Sequence, residues 1–428
     1  MLADDQHRNL WEASAAPPPA CAALSGDLST ETVVIGAGYT GLSCALHLAL
    51  AGRDVAVLEA RGIGHGGSGR NVGLVNAGMW VMPERLIETQ GDHWGRLLID
   101  ALGGGPAEVF SLIERFGMEC EPVRRGTLHL GVGRAGWREL GERARQWQAL
   151  GAPVRRLGPD ETRQLVGTDA YAGALLDERA GTINPLGYAR GLASAAIASG
   201  AQIFTQSPVI SAHYRDNLWH IRTSSGQVRA RFVVVATNAY SGLIEGFPFA
   251  AQQAELTLLP YFQCATAPLS SNIAAQILPE RQGCWDTRGV MRSIRMDAAG
   301  RLIFGSVGAL DGLSAKAQMG FARRAIAQLF PFITNVELSY FWHGQIGMTD
   351  NALPKFHRYG PNAIGVNGFN GRGIAPGTVF GRAMAEHIAE GREMILPESP
   401  IKVAPMARLK TSFYKAGSHL AHLGAARI

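Results

Sequence analysis

Apolar and polar positions over residues 30–60 change from a strand pattern to a helical pattern and back. Thr32-Val-Val-Ile35 is a β-prone run, and apolar residues then recur at helical spacing at Leu42, Ala45, Leu46, Leu48 and Ala49. A second apolar run, Val55–Leu58, follows. The pattern predicts a strand, a helix and a second strand, the order of a βαβ unit.

Three glycines occupy the turn between the first predicted strand and the helix, as Gly36-x-Gly38-x-x-Gly41. Such a turn lets a pyrophosphate approach the N–H groups of the helix N-terminus, and the third glycine lets helix and strand pack closely. Glu59 follows the second strand, where an acid accepts hydrogen bonds from a ribose diol. Together these features predict a dinucleotide site.

Similar patterns return later in the chain. Helices are predicted over 107–116, 137–150, 189–199 and 316–329 and from near Gly377 to Glu390, and strands over 126–132, 201–205, 219–223, 228–230, 232–236, 301–306 and 363–367. The nucleotide-type elements therefore fall in three pieces separated by two insertions. Residues 61–73 are too rich in glycine for a regular element, and either face a ligand or form a flexible surface loop. Their place directly after the βαβ unit favours a ligand.

Composition narrows the class of protein. The 428 residues suggest two domains. The net charge is only +5, and the arginines are scattered among acidic residues rather than clustered, so we expect no nucleic-acid partner. Five cysteines without a CxxC pair indicate reduced thiols in the cytoplasm and no metal site. Neither a signal peptide nor a membrane-spanning run is expected from the sequence.

These motifs resemble the D-amino-acid oxidase superfamily of FAD-dependent amine oxidoreductases over nearly all of residues 30–395. The γ-glutamylputrescine oxidoreductase branch is the most similar, through Tyr39-Thr-Gly-Leu-Ser43, Ser68-Gly-Arg-Asn71 and Ile183-Asn-Pro-Leu186. Enzymes that oxidise sarcosine, pipecolate and glycine are relatives. The resemblance implies an α/β (α+β, two-domain) fold, with a Rossmann-like FAD-binding domain of glutathione-reductase type and an inserted, mainly antiparallel substrate domain. The predicted ranges are an N-terminal arm (1–30), the FAD-binding domain (31–78, 166–244 and 341–395), the substrate domain (79–165 and 245–340) and a C-terminal extension (396–428).

The resemblance also implies bound FAD, which we expect to be non-covalent because no lysine precedes Lys316 and no cysteine follows Cys284. The isoalloxazine ring is expected between the loop 68–73 and the turn 371–374, where the dipole of the next helix would stabilise negative charge. The predicted FAD contacts are Gly36, Ala37, Gly38, Tyr39, Thr40, Gly41, Glu59, Ala60, Arg61, Ser68, Gly69, Arg70, Asn71, Val72, Gly73, Val209, Ala236, Asn238, Gly371, Arg372, Gly373 and Ile374.

The implied reaction is oxidation of a C–N bond to an imine, with oxygen or a quinone as the electron acceptor. Amino-acid oxidases of the superfamily place a carboxylate-binding arginine two residues after a Trp-x-Gly motif, whereas here Gln345 and Ile346 follow Trp342-His-Gly344. Either the substrate lacks an α-carboxylate, as in a γ-glutamylated polyamine, or another arginine binds a secondary amino acid such as L-pipecolate or sarcosine. The candidate substrate residues are His343, Gln345, Arg292, Arg295 and Arg372.

Alternatives to an amine oxidoreductase are a protein that binds NAD or another dinucleotide without catalysis, and a flavoprotein reductase that uses NAD(P)H. The C-terminal tail has apolar residues at near-helical spacing, at Met406, Leu409, Phe413, Leu420 and Leu423, among basic residues that include Arg408, Lys410, Lys415 and Arg427. We predict a terminal helix that packs on the FAD-binding domain. The alternative is peripheral contact of this tail with the inner face of a membrane.

Overall fold

Two large β-sheets and the helices around them make up the computed structural model, which describes residues 8–311 and 313–424. The strands are β1 Gly26–Ile35, β2 Val55–Leu58, β3 Leu74–Val75, β4 Thr127–Gly131, β5 Val154–Leu157, β6 Gly173–Asp177, β7 Gly181–Thr182, β8 Gln202–Phe204, β9 Ser211–Arg215, β10 Leu218–Arg222, β11 Gly226–Val235, β12 Thr257–Thr266, β13 Gly283–Asp286, β14 Arg292–Met296, β15 Leu302–Val307, β16 Leu338–Met348, β17 Lys355–Gly360 and β18 Ala363–Asn367. The helices are α1 Leu10–Ser14, α2 Tyr39–Leu50, α3 Pro83–Gly103, α4 Gly105–Arg115, α5 Gly133–Ala149, α6 Pro159–Val166, α7 Pro185–Ala198, α8 Ser271–Ala274, α9 Leu313–Leu329, α10 Ile374–Glu390 and α11 Ala407–Gly424.

The first sheet is centred on β1, which pairs in parallel with β2 and with β11. Its main order is β17-β18-β11-β1-β2-β8, and β18 is also parallel to β11. Val33 and Val34 of β1 are fully buried, as expected for a parallel strand covered on both faces. Because β1, β2, β11 and β18 are mutually parallel, their carboxyl ends meet at one edge. The glycine turn, Glu59, Ala236 and Gly368 follow those ends.

The second sheet has the order β16-β12-β15-β14-β13-β4-β6-β5. All of its pairs are antiparallel except β13 with β4, so the predicted mainly antiparallel insertion is confirmed. Two strands of this sheet, β6 and β16, fall in or overlap the ranges 166–244 and 341–395 that we assigned to the FAD-binding domain. Pairing in the sheet places both strands beside the predicted substrate domain instead.

The N-terminal segment is held tightly against the rest of the protein. Leu10 and Trp11 of α1 are fully buried, and Trp11 Nε1 donates to the carbonyl of Asn71 at 2.9 Å. The Trp11 ring also meets Trp342 edge-on, with centroids 5.8 Å apart. The predicted N-terminal arm is therefore packed against the protein at α1, because burying a large indole offsets the entropy lost on ordering the segment.

The C-terminal helix packs on the second sheet, so the prediction that it packs on the FAD-binding domain is wrong. The N–H of Leu258 in β12 donates to Thr411 Oγ1 at 3.1 Å, and the His422 ring stacks on Phe321 of α9 at 3.8 Å. The face of α11 that carries Thr411 and His422 therefore contacts β12 and α9. The predictions for the side chains of Leu420 and Leu423 and for Arg427 lie outside the described residues. None of the described helices has the length and apolar character required to cross a membrane.

Candidate functional site

A cavity of about 450 Å³ lies between the carboxyl edge of the first sheet and one face of the second sheet. The glycine turn from Gly36 to Thr40 lines it at the first sheet, and Tyr261, Trp285 and Ser293 line it at the second. The site is therefore built from chain segments more than 200 residues apart in sequence.

Glu59 is fixed by backbone donors at the start of the glycine turn. Its carboxylate accepts from the N–H groups of Ala37 and Arg61, both at 2.8 Å. Burial raises the pKa of Glu59, and these two backbone hydrogen bonds act against that shift. Glu59 and Ala60 line the cavity, whereas the side chain of Arg61 is exposed.

The glycine-rich loop is ordered from within by Asn71. Asn71 Nδ2 donates to the carbonyls of Gly67 and Ser68 at 2.9 and 3.0 Å, while Oδ1 accepts from the N–H of Gly73 at 2.8 Å. Tyr39, at the start of α2, donates its hydroxyl to the carbonyl of Ser68 at 2.6 Å. The cavity-lining residues of the loop are His65, Gly66, Gly67, Ser68, Arg70, Asn71 and Val72. Of the two interpretations of this segment, the structure favours the loop that faces a ligand.

The second glycine turn ends in a helix that begins earlier than predicted. α10 starts at Ile374 rather than near Gly377, so its N-terminus lies at the cavity beside Gly371 and Gly373. Asn238 Oδ1 accepts from the N–H of Gly368 at 3.0 Å and so joins this turn to the end of β11. The positive end of the α10 dipole is therefore available to a negatively charged ring system.

The arrangement fits FAD better than a single nucleotide, because two helix N-termini, those of α2 and α10, serve one cavity. Val209 and Ala236 line the wall between these ends. At Gly38 a Cβ atom would lie 2.9 Å from Ser68 Oγ, so a side chain there would narrow the cavity at the turn. Among the predicted FAD contacts, those that do not line the cavity are Gly41, Arg61, Gly69, Gly73 and Arg372.

The predicted substrate residues separate into different environments. Gln345 lines the cavity, whereas His343 does not; the carbonyl of His343 accepts from Arg70 Nη1 at 3.3 Å. Arg292 lies on the face of β14 that points away from the cavity, with its guanidinium over the Phe321 ring at 5.3 Å. Arg295 is fully buried and donates from Nη1 to the carbonyl of Ile183 at 2.5 Å. The positions of Arg292 and Arg295 thus do not support a role in binding a substrate carboxylate.

Arg372 also stays outside the cavity. Its Nη1 donates to the carbonyl of Ala77 at 2.7 Å, and its guanidinium lies over the rings of Trp80 and Trp285 at 4.9 and 5.5 Å. Both of these indoles line the cavity. Arg372 therefore supports an aromatic wall from behind, by cation–π contact.

The second sheet and the loops beside it form one side of the cavity, which we call the second wall. Most of its residues were not predicted from the sequence. The cavity residues that we missed include Trp80, Tyr240, Tyr261, Gln263, Trp285, Met291 and Ser293. They come from several strands and loops and share no sequence motif. Tyr240 alone had a local signal, since it lies two residues after the predicted contact Asn238.

Neutral polar groups characterise this second wall. Tyr261 donates its hydroxyl to Ser293 Oγ at 2.9 Å, and burial raises the pKa of Tyr261, so the phenol stays protonated. His129 stacks on Trp285 with centroids 4.9 Å apart, and burial lowers its pKa well below the usual range, which keeps the imidazole neutral. Gln263 Oε1 and Trp285 Nε1 are buried without a hydrogen-bond partner among the described residues.

Comparisons with known proteins agree with this geometry. The FAD dependent oxidoreductase (DAO) family model matches residues 31–387. Gamma-glutamylputrescine oxidoreductase of Escherichia coli strain K12 is 32% identical over 371 residues, which are 85% of this chain and 84% of that protein. The probable oxidoreductase OrdL of Haemophilus influenzae is 31% identical over 376 residues, 87% of this chain and 86% of that protein.

A solved structure with the same fold is glycine oxidase from Geobacillus kaustophilus, with a TM-score of 0.71 and 21% identity; the match covers 88% of this chain and 99% of that one. These matches confirm the predicted fold class, the predicted FAD cofactor and the predicted class of enzyme. The chain belongs to the FAD dependent oxidoreductase family, as its glycine turns and the acid after β2 predicted.

Proposed function

We propose that this enzyme oxidises a C–N bond of an amine that has no carboxylate beside the reacting carbon, and that its substrate class is a γ-glutamylated polyamine. The observation that carries the proposal is the chemistry of the second wall. Its described cavity residues include no arginine, lysine or histidine. A buried carboxylate without such a partner would be strongly disfavoured. An uncharged carbon chain beside the reacting amine suits this wall better, and a γ-glutamylated polyamine carries its carboxylate on the glutamyl group, at the far end from that amine.

The unpaired polar atoms support the presence of an amide in the substrate. Gln263, Gly305, Ser293 and Trp285 pair in one row across β12, β15, β14 and β13. Gln263 supplies an unpaired acceptor and Trp285 an unpaired donor. At Gly305, between them in the row, the side chains of Tyr261 and Ser293 occupy the space that a Cβ atom would need. A secondary amide has one N–H and one C=O, and so offers each of these atoms a partner. A γ-glutamylated polyamine contains such an amide.

FAD supplies the hydride acceptor when it is bound, and the side chains of this protein position and desolvate the amine. Trp80, Leu259 and Met291 give the cavity an apolar surface. Removal from water disfavours the charged ammonium form, so this surface favours the neutral amine whose lone pair assists hydride loss. Gln345 and Ile346, which stand near the place of the arginine of amino-acid oxidases, both line the cavity and add no charge. Water then hydrolyses the imine product.

A second candidate substrate is a secondary amino acid such as L-pipecolate or sarcosine, for which Arg70 is the relevant cation. Arg70 lines the cavity, yet its Nε donates to the carbonyl of His65 at 2.8 Å and its Nη1 to that of His343. These hydrogen bonds hold the guanidinium against the backbone of the loop and away from a substrate carboxylate. They therefore favour an amine without an adjacent carboxylate as the substrate.

We propose a cytoplasmic location for the enzyme. Oxygen and a quinone are the two candidate electron acceptors.

An anaerobic screen of flavin bleaching tests the proposed substrate class. We expect γ-glutamylputrescine to bleach the bound flavin about five- to tenfold more efficiently than putrescine, L-pipecolate or sarcosine, since one amide hydrogen bond contributes about 1–1.5 kcal/mol. Stopped-flow absorbance gives the rate and the apparent Kd for each compound. A clear preference for sarcosine or L-pipecolate would overturn the proposal.

Gln263→Leu tests the amide contact. The variant is expected to lose about tenfold in reduction efficiency with γ-glutamylputrescine and little with n-butylamine, because n-butylamine has no second nitrogen that could offer an N–H to Oε1. Gln282→Leu is the matched control, since Gln282 is also buried with an unpaired Oε1 but does not line the cavity. Equal losses with both amines would show that Gln263 supports the wall without recognising an amide.

A further inference from the structure

The C-terminal segment has the most exposed large apolar side chains of the described residues. Val403, Met406, Leu409 and Phe413 are 73%, 65%, 63% and 71% exposed. All other described large apolar side chains are at most 43% exposed. Four such residues within eleven positions form a patch, which we call the tail patch, and a patch of this kind indicates an interaction site.

The tail patch lies on the side of α11 that faces away from the protein. Leu409 and Phe413 are spaced by four residues, so they share one face of the helix, and Met406 lies directly before its first residue. Thr411 and His422, eleven residues apart, share the opposite face and contact β12 and α9. Arg324 Nη2 also donates to the carbonyl of His422 at 2.9 Å. The helix is thus anchored by one face and presents the other.

The charged residues of the C-terminal segment that follows Glu398 have a single sign. Glu398 is the last acid in the chain, and residues 399–428 contain five cationic residues, Lys402, Arg408, Lys410, Lys415 and Arg427. Three of the five lysines of the whole chain fall in this segment. Lys402 and Lys410 are exposed beside the apolar residues. An apolar face flanked by cations complements a surface that combines anionic groups with hydrocarbon.

We propose that the tail patch binds the surface of a bilayer that contains anionic lipids. Phe413, Leu409 and Met406 enter the boundary between head groups and acyl chains, and the flanking lysines contact lipid phosphates. A second protein copy is less suited to this surface, because two such patches would bring like charges together. The proposal does not depend on the identity of the substrate.

Co-sedimentation of the full-length FAD-loaded enzyme with vesicles tests this proposal. We expect binding to vesicles of phosphatidylcholine mixed with phosphatidylglycerol, weaker binding at high salt, and little binding to phosphatidylcholine alone. The double variant Leu409→Asp/Phe413→Asp is expected to bind the anionic vesicles at least about tenfold more weakly. Leu150→Asp is the matched control, since Leu150 is an exposed apolar residue at the end of α5.

Folding is checked independently by the flavin spectrum and by anaerobic reduction, both of which should be unchanged in the double variant. Vesicle binding that is equal in wild type and double variant, or absent in both, would overturn the proposal. So would a wild-type dimer in light scattering that the double variant converts to a monomer while wild type ignores vesicles, because a second copy would then occupy the tail patch.

Discussion

Gly41→Ala is expected to weaken FAD binding by up to about a hundredfold. A Cβ atom at this position would lie 2.0 Å from the carbonyl oxygen of Gly36 and 3.1 Å from Val34 Cγ1. The first neighbour is backbone of the glycine turn, which can move only if α2 separates from β1. Overpacking of this kind costs about 1–3 kcal/mol, enough to weaken FAD binding by up to about a hundredfold.

The flavin-to-protein absorbance ratio of purified Gly41→Ala, and titration of its apo form with FAD, measure this effect. Gly62→Ala is the matched control, because a Cβ there meets no atom within 4 Å and Gly62 does not line the cavity. The control should retain wild-type flavin content. Wild-type affinity in Gly41→Ala would show that the turn tolerates a side chain and that its contact with α2 is not needed for FAD.

The first sheet could be predicted because its signals are local in the sequence. The strand before Gly36, the helix after Gly41 and the acid after β2 lie within one stretch of 34 residues, from position 26 to position 59. Parallel pairing then brings the ends of β11 and β18 to the same edge. Each of these strands is followed by its own turn. A short motif at the end of each strand was therefore enough to predict that edge.

The substrate side of the cavity could not be predicted in this way, because strand order in the second sheet does not follow chain order. Tyr261, Trp285 and Ser293 become neighbours only through the pairing of β12, β15, β14 and β13. Alternation along β14 also matters, since Ser293 faces the cavity while Arg292 faces α9. Alternation places Arg292 and Arg295 on opposite faces of the strand, but the sequence does not say which of the two faces lines the cavity.

Arg295 shows the limit of reading a function from residue type. It was a candidate for binding a substrate carboxylate, and it lies on the same side of β14 as Ser293. Arg295 is two residues further along the strand than Ser293, however, and there its guanidinium contacts backbone carbonyls instead of the cavity. We infer that its charge holds the glycine-rich loop in place, so that the second sheet supports one FAD-facing loop as well as the substrate wall.

Arg295→Ala is expected to destabilise the protein by about 3–5 kcal/mol and to lower its flavin content. Arg295 Nη1 donates to the carbonyls of Ile183, Val72 and Gly73 at 2.5, 3.2 and 3.4 Å, and the side chain is fully buried. Truncation would leave these carbonyls unpaired beside a new cavity. Thermal unfolding followed by flavin fluorescence measures the loss.

Arg229→Ala, which removes an exposed arginine from β11, provides the comparison and should leave both stability and flavin content unchanged. The inference predicts that the remaining folded Arg295→Ala enzyme shows a similar loss of reduction rate with γ-glutamylputrescine and with sarcosine, because the loop serves FAD rather than one substrate. If the variant instead kept its stability and flavin, and lost binding only of amines that carry a carboxylate, Arg295 would be a substrate anchor. The loop would then be held by its other contacts, among them those of Asn71, Tyr39 and Trp11.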